Sequence, residues 1–177
     1  MRLFVVFVEI IRLRNFVLGA IAFSSVVLAS SGPAHAEAIK VTGTLAVKQQ
    51  IRLDFKDGTG HLFAMMNREG ALEGTGSFAK AKAQDYGVHD VYPGAGGSQT
   101  GYLVIAKSEA DIAYLKWSTQ STFIKGADGK AVIVNNGTWT YVSGIGSFKG
   151  LKGNGAIKIT FGKDTERTYS IEGNLSK

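Results

Sequence analysis

From Ile39 onward the chain alternates apolar and polar residues with a period of two, and this pattern constrains the fold more than any other feature. Ile39, Val41, Leu45 and Val47 share one face, with Lys40, Thr42, Thr44 and Lys48 on the other. Ile51, Leu53 and Phe55 then alternate with Arg52, Asp54 and Lys56. Near the C-terminus Ile157, Ile159 and Phe161, and then Tyr169, Ile171 and Leu175, repeat the pattern. Successive side chains of a strand point to opposite faces, so the pattern describes a sheet with one dry and one wet face. Helical spacing is not sustained after residue 37. Further strands are expected at about 61–68, 71–78, 100–107, 111–124 and 131–142, eight or nine in all. Tyr102 to Ala106 and Ala131 to Val134 are apolar on both faces, which predicts cover on both sides. Turn signals fall at Asp57-Gly58, Gly94 to Gly97, Asp128-Gly129, Asn136-Gly137 and Gly162-Lys163-Asp164. With 23 Gly against 2 Pro, the sheet is expected to curve strongly. The expectation is an all-β fold, a single antiparallel barrel of about eight strands over residues 37–177.

Residues 1–36 read as a cleaved secretory signal peptide. Arg2, Arg12 and Arg14 precede an apolar run from Phe16 to Ala29, and Ser30 to Pro33 break it. Ala34-His35-Ala36 supplies small residues at the cleavage subsites. The run of about 14 residues is short for a span of roughly 20. A retained membrane anchor is the alternative. The protein is therefore expected in the periplasm or outside the cell. There is no Cys, which excludes disulfides, thiolate metal sites and a Cys nucleophile. The net charge is +6, but the lysines are scattered singly, so no nucleic-acid surface is expected.

Gly74-Thr75-Gly76-Ser77-Phe78 recurs seventy residues later as Gly144-Ile145-Gly146-Ser147-Phe148, and Lys82 and Lys152 keep the same offset. Two sheet halves built from one duplicated motif account for it, against chance reuse of Gly-Xaa-Gly in turns. The glycines from Gly144 to Gly155 resemble a phosphate loop only superficially. The third glycine is displaced to Gly150, a strand follows instead of a helix, and Gly-Lys-Ser/Thr is missing. No nucleotide or other cofactor is expected. Instead, Phe148 and Leu151 are expected to fold back as apolar plugs at one barrel end.

Gly137-Thr138-Trp139, the glycine cluster, and Arg167-Thr168-Tyr169-Ser170-Ile171-Glu172-Gly173 together resemble the C-terminal half of the allene oxide cyclase-like and dirigent-like β-barrels. Gly101-Tyr102-Leu103-Val104 and Lys116-Trp117-Ser118 fit the strands before it. The resemblance covers about residues 98–175. It implies an eight-stranded antiparallel barrel with a central apolar cavity, often trimeric. Its plant members cyclise an epoxide or steer the coupling of phenol radicals. Their acidic catalytic residues have no counterparts that can be placed here.

An eight-stranded barrel is just wide enough for one small ligand. The aromatics expected to line it are Tyr102, Tyr114, Trp117, Trp139 and Tyr141, with plain packing as the alternative. Tyr86 to Gly94 reads as a polar loop in which His89 and Asp90 are candidate ligand contacts, though neighbours in an extended segment point apart. His61 reads as a surface or core residue. Arg68, Glu69 and Glu73 place charge near a barrel mouth or form a salt-bridged rim. No catalytic set and no metal ligand set stands out. The leading reading is a non-catalytic exported barrel that binds a small apolar or aromatic molecule. A cyclase or isomerase of the allene oxide cyclase type is the second, and a buried carboxylate of raised pKa inside the cavity would favour it. A structural or interaction protein with a filled barrel, assembling as a homo-oligomer through the doubly apolar strands, is the third.

Overall fold

The computed structural model describes residues 36–125, 131–162 and 164–177. Residues 1–35, most of the expected signal peptide, lie outside the described residues, as do the expected turn at Asp128-Gly129 and Lys163. Nine strands follow one another: β1 (Glu37–Asp54), β2 (Leu62–Ala71), β3 (Glu73–Thr75), β4 (Lys82–Tyr92), β5 (Gly96–Ser108), β6 (Asp111–Lys125), β7 (Ala131–Ile145), β8 (Lys152–Phe161) and β9 (Arg167–Ser176). Every pairing is antiparallel. Eight strands close a ring in the order β1-β2-β4-β5-β6-β7-β8-β9 and back to β1. Closure depends on the length of β1. Its first half pairs with β9 from Glu37 to Leu45, and its second half with β2 from Leu45 to Asp54. The short β3 adds onto β1 at Lys40 to Thr42. A closed ring leaves no long edge open to other chains.

The alternation of Ile39, Val41 and Leu45 points these side chains into the barrel, where they are 2% exposed or less. Beyond them the reading of β1 needs correction. The register shifts between Val47 and Gln49. One extra residue in a strand sends every later side chain to the opposite face. Ile51 and Leu53 therefore stand on the outside, 72% and 54% exposed, and Phe55 is also exposed. Arg52 instead pairs with the buried Ala64 and faces inward.

Three further expectations change. Residues 86–92 are not a loop but the second half of β4. Asn136-Gly137 is not a turn, since it lies within β7 and Gly137 pairs with both Thr119 and Ile157. The expected strand 71–78 shrinks to β3, followed by a tight turn. The doubly apolar segments are half covered. Leu103 and Ile105 are fully buried, while Tyr102 and Val132 face outward and are exposed.

The seventy-residue repeat is real in space. Ala79 N–H donates to the Gly76 carbonyl at 3.0 Å, and Lys149 N–H donates to the Gly146 carbonyl at 3.1 Å. Ala81 N–H reaches the Phe78 carbonyl, and Leu151 N–H the Phe148 carbonyl, each at 3.4 Å. Gly76 and Gly146 both hold positive φ, as do Lys80 and Gly150 two positions after each phenylalanine. Lys82 pairs with Ala106 as Lys152 pairs with Ser176. The ring is thus two four-strand units, β1-β2-β4-β5 and β6-β7-β8-β9. The two matching turns deliver Phe78 and Phe148 to the same end of the barrel, with ring centroids 5.9 Å apart. Both are buried, Leu151 packs beside them, and that end is closed.

Glycine also shapes the middle of the barrel. Gly87, Gly101, Trp117, Trp139, Gly155 and Gly173 are successive cross-strand neighbours from β4 to β9. Each indole lies against the paired glycines of the next two strands. A Cβ on Gly101 would sit 2.8 Å from Trp117 Cζ2, and one on Gly173 2.7 Å from Trp139 Cζ2. Two large side chains and four absent ones fill a single layer, which is how a narrow barrel reaches native packing density.

Candidate functional site

The closed end and the indole layer fill one half of the interior. At the other end, where β1 meets β2, β4 meets β5, β6 meets β7 and β8 meets β9, the barrel holds a pocket of about 260 Å³. Leu62, Val91, Ile133 and Ile159 give it apolar walls. Arg52, Pro93 and Phe161 stand around it, and its polar residues are Arg68, His89, Gln99, Ser121, Asn135 and Arg167. A larger groove of about 680 Å³ crosses the outer face beside Lys48, Glu69, Lys82 and Gln84. That groove gathers no buried polar group, so the interior pocket is the better candidate.

The polar floor starts from two residues that β2 and β4 set directly opposite each other, Arg68 and Asp85. Both are buried, at 1% and 0% exposure. Arg68 Nη1 stands 3.3 Å from Asp85 Oδ2 and donates to it. Asp85 also accepts from the Tyr169 hydroxyl at 2.6 Å and from Trp117 Nε1 at 2.8 Å. Burial nevertheless pushes the Asp85 carboxyl up to about 6, against the pull of these donors. Burial and the adjacent carboxylate push the Tyr169 phenol well above its ordinary value. Asp85 therefore ties β2, β6 and β9 to its own strand β4 beneath the pocket without lining it.

His89 lies two inward positions further along β4. Burial, with the Arg68 and Arg167 cations nearby, pushes its imidazole down to about 3, so it is neutral at physiological pH. A guanidinium has no acceptor, so His89 Nε2 must accept from Arg68 Nη1 at 3.2 Å, and the ring proton sits on Nδ1. Beside it runs a chain of hydrogen bonds. Thr119 Oγ1 donates to Gln99 Oε1 at 2.8 Å, Gln99 Nε2 to Ser121 Oγ at 2.7 Å, and Ser121 Oγ to Asn135 Oδ1 at 2.8 Å. These bonds fix the amide orientations along one wall.

Of the residues expected to contact a ligand, His89 alone lines the pocket. Trp117 and Trp139 point inward but are sealed in the glycine layer, at 1% and 0% exposure. Trp139 spends its indole N–H on the Glu172 carbonyl. Tyr141 belongs to the closed end, where its hydroxyl donates to the Phe148 carbonyl at 2.6 Å. Tyr102 has the outward parity of β5 and is exposed, and Tyr114 has the outward parity of β6. Asp90 points away from His89 to the outer surface. There it meets His61 Nε2 at 2.6 Å, and the His61 ring is stacked between Phe55 and Tyr92 with centroids 4.0 Å from each. Glu69 and Glu73 are exposed on the outer wall, whereas Arg68 is the buried centre of the floor. Asp85, Gln99, Asn135, Arg167 and Tyr169 were not foreseen. The available signal was a pair of opposite charges at inward positions of neighbouring strands. Among the described residues, no three His, Asp or Glu gather as a metal site.

No family model matches the chain, and no curated protein does. Among solved structures, a pterocarpan synthase dirigent protein is similar over 89% of this chain and 100% of that one. The identity is 15% and the TM-score 0.48. The barrel itself rests on the closed ladder of its own strands.

Proposed function

We propose that this chain is an exported, non-catalytic barrel that holds a small apolar or aromatic molecule in the pocket at its open end. The observation that carries this reading is the division of the interior. One half is packed solid, and the other keeps a pocket of about 260 Å³ with apolar walls above a polar floor. A dry cavity of about 150 Å³ takes a benzene ring, so this one admits a ring with a short substituent. Export rests on the leader sequence alone. A second reading, an isomerase or cyclase, would draw on Asp85, a buried carboxyl raised to about 6 that lies beneath the pocket rather than in it. Its oxygens are already engaged by Arg68, Trp117 and Tyr169, which weighs toward a structural role.

Native mass spectrometry of the protein purified without denaturant tests the proposal. A reproducible extra mass that leaves on unfolding is expected. A bare mass that persists after incubation with small aromatic and aliphatic compounds would contradict it.

A further inference from the structure

The pocket has a charge as well as a shape. Among the described residues three cations line it, Arg52, Arg68 and Arg167, and no Asp or Glu does. Arg52 is exposed and answered by Asp54 at 2.6 Å. Arg68 is answered from below by Asp85, yet its Nε is buried with no hydrogen-bond partner. Arg167 is half-buried and forms no ion pair among the described residues. It lies over the Phe161 ring at 3.8 Å and spends one N–H on the Glu166 carbonyl. Among the described residues the floor therefore carries two guanidinium groups against one carboxylate, and that carboxylate is enclosed. His89 adds no counter-charge. The Ser121 hydroxyl occupies Asn135 Oδ1, so the side of that amide left to offer is its donor.

A half-buried cation without a counter-charge favours an anionic partner. A carboxylate answers a guanidinium with two parallel hydrogen bonds. We propose that the occupant is an amphipathic monocarboxylate: an aromatic or short aliphatic body against Leu62, Val91, Ile133 and Ile159, with its carboxylate on Arg167. This deepens the ligand-pocket reading above and rests on it.

Isothermal titration of the intact protein near pH 7 separates the two. The probes are benzoate, 3-phenylpropanoate and octanoate, the neutral amide of each, and 3-phenylpropylamine. At least one acid is expected to bind about tenfold or more tightly than its amide, and the amine not to bind. Within the Arg167→Gln variant, that acid is expected to bind no more than about twofold more tightly than its amide. Arg167→Lys should retain part of the preference. Arg167 lies at the start of β9 and is only half-buried, so these variants should keep the fold, which an unchanged melting transition would verify. Equal affinity of acid and amide would overturn the anion assignment while leaving the pocket reading intact. An acid preference untouched by Arg167→Gln would also overturn it. Binding of none of the probes would overturn both.

Discussion

His89→Gln isolates the energetic consequence of a neutral imidazole held among cations. The imidazole of the folded protein titrates at about 3, against an ordinary 6.5. Above pH 6.5 neither state carries the proton, and the residue adds no pH dependence. Below 6.5 the unfolded chain takes up a proton that the folded protein refuses until about pH 3. Acid therefore favours unfolding through this residue across that whole window. A tenfold change in proton affinity is worth ~1.4 kcal/mol, so the full span amounts to about 5 kcal/mol. Between pH 7 and pH 4 the share is about 3 kcal/mol. Asp85 works in the opposite sense. Its raised carboxyl keeps a proton in the folded state that the unfolded chain has released above 3.8, so stability falls as pH rises from 3.8 to about 6. In the parent protein the two slopes oppose each other over that interval and largely cancel. His89→Gln removes one of them, and glutamine keeps an oxygen to accept from Arg68. Urea denaturation of parent and variant at pH 7 and pH 4 measures the effect. On going to pH 4, the variant should gain about 3 kcal/mol relative to the parent. Parallel pH dependences, with the gap constant within about 0.5 kcal/mol, would rule out an imidazole held neutral by burial and the neighbouring cations.

Three other outcomes are expected. Asp85→Asn should show the mirror image: whatever offset the amide introduces, the variant gains about 3 kcal/mol on the parent as pH rises from 3.8 past 6, read by the same denaturation series. Lys80 is exposed and holds φ 61°, where its repeat counterpart is Gly150, so Lys80→Gly should stabilise by about 0.5–1 kcal/mol and Gly150→Ala should cost about 1 kcal/mol. A neutral result for both in thermal melts would count against the matched turns. Ile133→Trp should fill the pocket, leave the circular dichroism spectrum unchanged and weaken ligand binding by about tenfold or more; undiminished binding would place the ligand elsewhere.

The fold was legible wherever the inward face was apolar and the outward face polar. Ile157, Ile159, Tyr169, Ile171 and Leu175 are buried as their spacing implies. The repeat was legible because its Gly-Xaa-Gly-Ser-Phe turns impose a backbone that few other residues adopt. Past Val47 the pattern misled, since a bulge reverses the faces without any mark in hydrophobicity. The second half of β4 looks like a loop in the sequence because the strand's inward face is Ala83, Asp85, Gly87, His89 and Val91, which has almost no hydrophobic period. The same polarity makes it the strand that builds the site. Tyr102 misled for a different reason. It is flanked by apolar Leu103, so side-chain type could not say which of the two turned inward. Trp117 and Trp139 did turn inward, but the glycines of the neighbouring strands make room for them as packing rather than as a ligand wall.

If the proposed function holds, the packed end of the barrel takes no part in binding and the pocket at the other end takes all of it. A methyl-labelled NMR titration with 3-phenylpropanoate tests that division residue by residue. Shifts are expected at Leu62, Val91, Ile133 and Ile159, with Ile39, Ile105 and Ile171 in the packed half unmoved. Shifts confined to the outer-face Ile51 and Val142, or spread evenly through both halves, would contradict it.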